Sequence, residues 1–244
     1  MKMFQVGGFV RDELLGVKSK DIDFSVVLDT DEHQRFNHVD PFKYMVRVLE
    51  NEGFEIFLEK PEFLTVTARF PKSAGKAVTA DFVLARKESG YTDGRRPDKV
   101  EPGTLLDDLS RRDFRMNAIA KDSDGTLIDP FNGVGDIEAR IIRAVGDPME
   151  RLTEDALRAV RALRFSVTKG FIIDVQLTNA LHSTDVAIML ERISDERIQQ
   201  ELSKMFRYNT TASIRLLNAF PKLTSAIFSG SVSLDATMKT KGRG

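Results

Sequence analysis

The sequence predicts an α+β protein in which strands and helices are mixed in the first part and helices predominate in the second. Short apolar runs rich in β-branched residues alternate with polar loops over residues 3–84, as is typical of strands. After residue 148 the apolar residues recur at helical spacing, and only residues 171–173 resemble a strand. We therefore predict a first domain at residues 1–145, a helical domain at 146–228 and a disordered tail at 229–244.

The individual elements follow from local patterns. Residues 10–15 are a predicted helix closed by Gly16, and the stripe of Phe42, Met45, Val46 and Leu49 predicts a helix over residues 41–51. Turn-forming residues predict a loop from 86 to 102, and apolar spacing predicts a helix over 105–120. The other predictions are strands at 3–6, 21–28, 54–58, 64–70, 78–84 and 126–130, and helices at 135–139, 154–167, 176–182, 195–208 and 211–219.

Composition excludes several classes of chemistry. The chain has 244 residues and no cysteine, so disulfides, thiolate metal sites and cysteine nucleophiles are excluded. Its three histidines are not at metal-ligand spacing, which disfavours zinc. A net charge of −1 means that local basic patches must hold any nucleic acid. No signal peptide and no apolar run of the ~20 residues of a membrane span is visible, so we expect a soluble cytoplasmic protein with no membrane partner.

Acidic residues in two predicted strands are the first candidates for chemistry. Asp21 and Asp23 are two residues apart, so on a strand both carboxylates face the same side and can share cations. Two metals that flank a phosphoryl group need a further ligand, and Asp81 lies in an apolar run where an acid is costly unless it is paired or metal-bound. Taken alone, Asp21 and Asp23 are better explained as a solvated strand end, and a solvent-facing aspartate at a strand start explains Asp81 equally well.

A second group of candidates suggests phosphate binding. Gly7 and Gly8 follow a predicted strand and precede a predicted helix that carries Arg11. Backbone amides in such a turn can cradle phosphates while the arginine pairs with them. The alternative is that the two glycines only form a tight turn. The combination of a phosphate cradle with nearby carboxylates points to a metal-bound nucleoside triphosphate.

A run of charged residues in the second part suggests base recognition. Asp155, Arg158, Arg161 and Arg164 are spaced by three on the predicted helix at 154–167, which keeps neighbours on adjoining surface. Aspartate and arginine offer the acceptors and donors that read a base edge or bind phosphate. A solvated face, with Glu154 and Arg158 as an ion pair, is the alternative. Arg111, Arg112, Asp113 and Asn117 form another polar cluster that indicates little alone.

Read in order, these segments resemble the motifs of class II nucleotidyltransferases, the family of bacterial CCA-adding enzymes and poly(A) polymerases. Four segments at family-like spacing carry the resemblance, which covers roughly residues 3–170. They are residues 6–16 with Asp21-Ile22-Asp23, residues 111–120 (beginning Arg111-Arg112-Asp113), residues 128–133 (beginning Ile128-Asp129-Pro130), and residues 154–165 (beginning Glu154-Asp155-Ala156).

The resemblance implies a polymerase-β-type nucleotidyltransferase head, with a mixed sheet and flanking helices, followed by an all-helical neck and a short body. It implies that Asp21 and Asp23 bind two Mg²⁺ ions, that Asp81 is the third catalytic carboxylate, and that Gly7, Gly8 and Arg11 meet the triphosphate. The residues implied to surround the nucleotide are Arg112, Asp155, Arg158, Arg161 and Arg164, with Asp155 and Arg158 reading the base.

The implied activity is addition of CMP and AMP from CTP and ATP to an RNA 3′ end, with CCA addition to tRNA or its repair placed first. A poly(A) polymerase or a CC-adding enzyme is the alternative within the class, and an inactive RNA-binding module is the alternative outside it. Two departures from the family pattern stand out. Arg115 occupies a position where a small hydroxyl residue is usual, and the residues after 177 are expected to form only a reduced body.

Overall fold

The computed structural model describes residues 1–19, 21–29, 40–74, 78–90, 99–230 and 232. These residues belong to two compact units, each described separately below. Of the described residues, those within Met1–Ser89 and Lys99–Ile137 form the first unit, and Gly90 with those from Glu138 onwards forms the second. The domain boundary near residue 145 stays a prediction. Within the described residues, every helix is too short or too polar to cross a membrane.

A seven-stranded mixed sheet is the centre of the first unit. Its strands lie in the order β3-β4-β5-β2-β1-β8-β9, and β2 pairs with β5 in parallel while the other neighbours are antiparallel. The predicted mixed sheet with flanking helices is therefore confirmed. The strands are β1 (Lys2–Val6), β2 (Ile22–Val27), β3 (Glu55–Lys60), β4 (Thr65–Arg69), β5 (Thr79–Leu84), β8 (Ala120–Lys121) and β9 (Leu127–Ile128).

Alternation along the strands separates an apolar face from a polar one. Phe24 in β2 and Phe82 in β5 are buried and stacked, with ring centroids 5.1 Å apart. They pack in one core with the buried side of α2 (Pro41–Asn51), which contributes Phe42, Met45 and Leu49. Because strand side chains alternate, Asp23 and Asp81 fall on the opposite face of the sheet from this core.

Two predictions for the end of the first unit were wrong. The predicted loop at 86–102 contains a hairpin, in which β6 (Arg86–Ser89) pairs antiparallel with β7 (Lys99–Pro102). Residues 91–98, in the middle of the predicted loop, lie outside the described residues. The predicted helix at 105–120 is α3 (Leu105–Ser110), followed by a 3-10 turn at Arg115–Asn117 and then β8. Strand pairing overrides the local pattern in both cases, because β6 pairs with β7 and β8 pairs with β1. The other helices of the first part are α1 (Gly8–Leu14) and α4 (Gly133–Ala139).

The second unit is mainly helical, as predicted, but the predicted helix at 154–167 is not continuous. One helix, α5 (Pro148–Glu154), ends before Asp155, whose backbone is extended, and α6 (Leu157–Lys169) begins after it. Three short helices had not been predicted, namely α5 and those at Thr184–Leu190 and Pro221–Ile227. The remaining elements are α7 (Val175–Leu181), α8 (Thr184–Leu190), α9 (Asp195–Tyr208), α10 (Thr210–Ala219), α11 (Pro221–Ile227), and the parallel strands β10 (Ile141–Ile142) and β11 (Ile172–Ile173). Most of the predicted disordered tail lies outside the described residues.

Candidate active site

The sheet brings two of the predicted acids together although 58 positions separate them in the sequence. Asp23 in β2 and Asp81 in β5 are direct partners in the parallel register. On the next strand, Thr67 is the register partner of Asp81 and donates a hydrogen bond from its hydroxyl to Asp81 Oδ1 at 2.6 Å. Asp21 is exposed and lies just before β2 begins. The sheet therefore presents carboxylates from two adjacent strands on the face opposite the apolar core.

The electrostatics of Asp23 show that these carboxylates affect one another. Burial raises the pKa of Asp23, the nearby Arg112 guanidinium lowers it, and the negative charges of Asp81 and Asp21 raise it further, so that the net shift is upward. An elevated carboxyl pKa means that the ionised form lacks sufficient compensating positive charge. A bound cation would supply that charge.

Oxygen donors of this kind fit a hard divalent cation. Asp21, Asp23 and Asp81 offer only carboxylate oxygens, which such cations prefer. In the described part of the chain, no three acidic, histidine or cysteine side chains converge closely enough to enclose a metal ion by themselves. Divalent cations that bind nucleotides usually keep several waters and take phosphate oxygens as ligands. The acids therefore fit a cation that shares its coordination shell with a substrate.

Gly7, in the segment of residues 6–16, lies beside Asp23. It follows β1 and has a φ of 71°, a left-handed conformation that favours glycine. A Cβ atom at this position would lie 2.9 Å from Arg112 Nη1 and 3.5 Å from Asp23 Oδ2. The Arg112 guanidinium and the Asp23 carboxylate thus both approach the backbone at Gly7, which has no side chain to separate them. Gly8 is already the first residue of α1 (Gly8–Leu14), whereas the sequence predicted that both glycines precede a helix at residues 10–15.

Arg11 is held by protein acceptors inside the first unit. Its side chain is buried and donates from Nη1 to Asn117 Oδ1 at 2.6 Å and from Nε to Asp12 Oδ1 at 2.8 Å. Asn117 in turn donates from its amide to Asp113 Oδ1 at 2.9 Å. Arg11 therefore connects the first motif with the segment around Asn117, and its contact with a triphosphate stays a prediction.

Arg112 is held by a residue that the sequence analysis did not single out. Asp108 in α3 is fully buried, and its Oδ2 accepts a hydrogen bond from Arg112 Nη2 at 3.0 Å. Burial disfavours the charged form of Asp108, but the attraction of Arg112 and Arg111 outweighs it, and its pKa is lowered. The signal available in the sequence was the spacing, because Asp108 precedes the two arginines by three and four residues.

In the second unit, the break between two helices changes the position predicted for Asp155. Its carboxylate accepts a hydrogen bond at 3.1 Å from the backbone N–H of Leu157, the first residue of α6, so Asp155 precedes this helix rather than lying on it. Arg158 is buried and donates from Nη1 to Glu154 Oε2 at 2.8 Å and to the carbonyl of Arg151 at 2.9 Å. The ion pair considered as an alternative is therefore present. Base reading by Asp155 and Arg158 remains a prediction.

The two remaining arginines of this helix pack on an aromatic ring. The guanidinium carbon of Arg161 lies 5.6 Å from the centroid of Phe165, and that of Arg164 lies 3.9 Å from it. Arg164 Nε is also paired with the buried carboxylate of Glu201 in α9. These contacts orient both arginines within the second unit, and their contact with a nucleotide also stays a prediction.

Comparison with known proteins identifies the family. The poly A polymerase head domain family matches residues 3–143, which is more than half of the chain. The chain belongs to this family. The match covers β1 to β10 and includes Asp21, Asp23 and Asp81. Nucleotidyltransferases of this kind generally use a divalent metal, which agrees with the donor set of the head.

Full-length relatives of the head domain are longer than this chain. It is 40% identical over 201 residues to a CCA-adding enzyme of Levilactobacillus brevis, covering 82% of this chain and 45% of that protein. It is 49% identical over 121 residues to a CCA-adding enzyme of Limosilactobacillus fermentum, covering 49% and 30% respectively. The chain thus spans less than half the length of these curated relatives.

Solved structures of related enzymes resemble this chain over most of its length. The Bacillus stearothermophilus CCA-adding enzyme in complex with CTP matches with a TM-score of 0.68 and 31% identity, covering 88% of this chain and 47% of that one. A tRNA nucleotidyltransferase complexed with a primer tRNA and an incoming ATP analogue matches with a TM-score of 0.71 and 27% identity, covering 94% and 60%.

Proposed function

We propose that this chain is an RNA nucleotidyltransferase that adds CMP and AMP from CTP and ATP to the 3′ end of tRNA. The observation that carries the proposal is the placement of Asp23 opposite Asp81, beside the Arg112 guanidinium and the Gly7 backbone. The choice of substrates rests on the relatives named above, which are CCA-adding enzymes, and on the solved structures, which contain CTP or a primer tRNA with an ATP analogue.

The carboxylates are assigned to Mg²⁺ and to the attacking hydroxyl. Asp21 and Asp23 would hold the metal and Asp81 is the third carboxylate, kept in place by the Thr67 hydroxyl. Bound Mg²⁺ would stabilise negative charge on phosphoryl oxygens and lower the pKa of the RNA 3′-hydroxyl. Within the chain, Asp81 would help to activate that hydroxyl by accepting its proton, and Arg112 would supply positive charge for a triphosphate. The net reaction joins the 3′-oxygen to the α-phosphate of the nucleotide and releases pyrophosphate.

The metal assignment is tested by removing the two acids of β2 together. Asp21→Ala with Asp23→Ala should abolish incorporation of labelled nucleotide into RNA, since no other carboxylates are proposed to replace them. Glu59→Ala is the matched control, because Glu59 is an exposed carboxylate on β3 at the edge of the same sheet. If the double variant still incorporates nucleotide, the proposed mechanism is wrong.

The product is tested with a tRNA that lacks its 3′-terminal nucleotides. Addition of two nucleotides from CTP alone, and of a third when ATP is also present, supports CCA addition. Repeated addition from ATP alone would identify a poly(A) polymerase, and addition from CTP only would identify a CC-adding enzyme. RNA binding without any transfer would overturn the proposal in favour of an RNA-binding module.

Base selection is tested at Asp155. Asp155→Ala should change the ratio of CTP to ATP incorporation more than the total rate, because the resemblance assigns recognition of the base to this residue. The same variant also loses the hydrogen bond that Asp155 accepts from the Leu157 N–H at the start of α6, at a cost of about 1 kcal/mol of stability. The variant is therefore assayed at a temperature where circular dichroism shows it folded. A lower rate with unchanged selectivity would refute base reading.

A further inference from the structure

A buried cluster of alternating charges lies in the first unit next to the proposed active site. Asp108 of α3 uses both carboxylate oxygens: Oδ1 accepts from Arg111 Nη2 at 2.5 Å, and Oδ2 accepts from Arg112 Nη2 at 3.0 Å. Burying an unpaired carboxylate is strongly unfavourable. Because Asp108 is fully buried, these two arginines are what allow it to stay ionised inside the protein.

The two arginines differ in what else supports them. Arg111 has a second acid, because its Nη1 lies 3.2 Å from Glu88 Oε1, and Glu88 is itself paired with Arg86 at 2.7 Å. For Arg112, within the residues the structure describes, the other hydrogen bond is a 3.3 Å contact from Nη1 to the carbonyl of Asn117, and its buried Nε has no partner. The position of Arg112 therefore depends on Asp108 far more than the position of Arg111 does.

The helix that carries Asp108 has a defined start. Thr104 and Asp107 form a reciprocal capping box, in which the Asp107 carboxylate accepts from the Thr104 N–H at 2.8 Å and the Thr104 hydroxyl accepts from the Asp107 N–H at 3.2 Å. Such a cap restrains the first turn of a helix. Asp108 is the next residue after this turn, so its carboxylate is presented from a rigid element to the guanidinium above Gly7.

We propose that Asp108 is a positioning residue that holds the Arg112 guanidinium over Gly7 and beside Asp23, and thereby sets the affinity of the site for the nucleoside triphosphate. The inference rests on the proposed function, in which Arg112 faces the nucleotide. Asp108 itself is buried and acts only through Arg112. A charge-assisted hydrogen bond fixes the orientation of a planar guanidinium as well as its position. Without it, the described residues would leave Arg112 the 3.3 Å contact with the Asn117 carbonyl and its attraction to Asp23, neither of which fixes the plane of the guanidinium.

A double-mutant cycle on CTP binding tests the proposal. The dissociation constant for CTP with Mg²⁺ is measured by titration calorimetry, without RNA, for the parent, Asp108→Asn, Arg112→Gln and the double variant. Loss of a hydrogen bond to a charged group corresponds to a change of about 10- to 100-fold, so Asp108→Asn should weaken CTP binding by about tenfold or more. In the Arg112→Gln background the same change should have almost no further effect, because Asp108 acts through Arg112.

Arg111→Gln is the matched control, since it removes the other partner of the same carboxylate. It should change CTP affinity by no more than about twofold, because Arg112 keeps its hydrogen bond to the other oxygen of Asp108. If the effects of Asp108→Asn and Arg112→Gln on CTP affinity are additive, the role of Asp108 is merely structural and the proposal is overturned.

Loss of the buried charge could prevent folding, so a second variant is included. Asp108→Leu combined with Arg111→Leu removes one acid and one base together, and replacement of buried ion pairs by apolar residues is often tolerated. This variant should fold, as measured by circular dichroism, and bind CTP as weakly as Arg112→Gln. Affinity equal to the parent's would overturn the proposal. A parent protein that binds no CTP would contradict the proposed function itself, whereas CTP binding with an additive cycle contradicts only the role of Asp108.

Discussion

Replacing Asp23 by asparagine should stabilise the metal-free protein while removing its response to Mg²⁺. Burial, together with the charges of Asp81 and Asp21, raises the pKa of Asp23, and Arg112 opposes the shift. The ionised side chain is therefore a net cost to the folded state in the absence of a cation. Asparagine has nearly the same shape and lacks the charge.

The magnitude follows from the spacing of the strands. Adjacent strands lie ~4.8 Å apart, and two carboxylates separated by about 6 Å repel by roughly 3 kcal/mol at an effective dielectric constant of ~20. Attraction between Asp23 and Arg112 at a similar distance offsets roughly that amount. The remaining cost of the ionised side chain comes from burial and from repulsion by Asp21. We expect Asp23→Asn to gain about 1 kcal/mol, or roughly 3–5 °C in the melting temperature of a unit of this size.

The dependence on pH has a defined sign. Because the folded-state pKa of Asp23 lies above its unfolded value, the cost is present when pH exceeds the folded pKa. As pH falls through that value the native state takes up a proton first, and the cost disappears. The stability difference between the parent and Asp23→Asn should therefore be present at pH 7 and shrink as pH is lowered towards 3.8, the ordinary value for this group.

Thermal unfolding in EDTA and in 10 mM Mg²⁺ measures both effects. For a dissociation constant of about 1 mM, Mg²⁺ should stabilise the parent by roughly 1.4 kcal/mol and should stabilise Asp23→Asn much less. Glu59→Gln, which changes an exposed acid on the edge strand, should respond to Mg²⁺ as the parent does. A destabilised Asp23→Asn variant in EDTA, or one with an unchanged Mg²⁺ response, would refute the electrostatic reasoning.

Two further predictions concern the groups around these acids. Thr67→Val removes the 2.6 Å hydrogen bond to Asp81. It should raise the Mg²⁺ concentration needed for half-maximal activity by about tenfold, the usual effect of losing a residue that orients a metal ligand. An unchanged Mg²⁺ titration would argue against Asp81 as a ligand. Gly7→Ala should cost about 1–2 kcal/mol through backbone strain and in addition displace Arg112, whereas Gly16→Ala, at a similar φ of 67° with open space around it, should show the strain alone. CTP affinity distinguishes the two glycine variants, and equal loss in both would contradict the close approach of Arg112.

Much of the first unit could be predicted from local sequence. Side-chain alternation in β2 and β5 is a property of any strand, so the positions of Asp23 and Asp81 on the polar face were predictable once the strands were recognised. The bounds predicted for α2, residues 41–51, are those observed. The buried stripe at helical spacing and the Asp40 cap followed by Pro41 indicate the same helix. Local signals of this kind need no knowledge of which elements become neighbours.

Other features depended on backbone conformation and strand pairing that the local residue pattern does not indicate. The break at Asp155 was missed because the sequence on both sides has helical spacing, and only the extended backbone at that residue separates α5 from α6. The hairpin of β6 and β7 was missed because its strands are short and polar, and they become strands only by pairing with each other.

The sequence by itself determined which residues could carry the chemistry, because residue type and local periodicity fix the donors and the face on which they lie. Only the tertiary structure decided that Asp81 stands next to Asp23, since two strands lie between them in the chain. It also decided that Arg112 approaches Gly7 and that the buried Asp108 holds it there. The physical reason is that the pairing of strands and the balance of buried charges are settled by burial in the whole unit, which no local window of sequence contains.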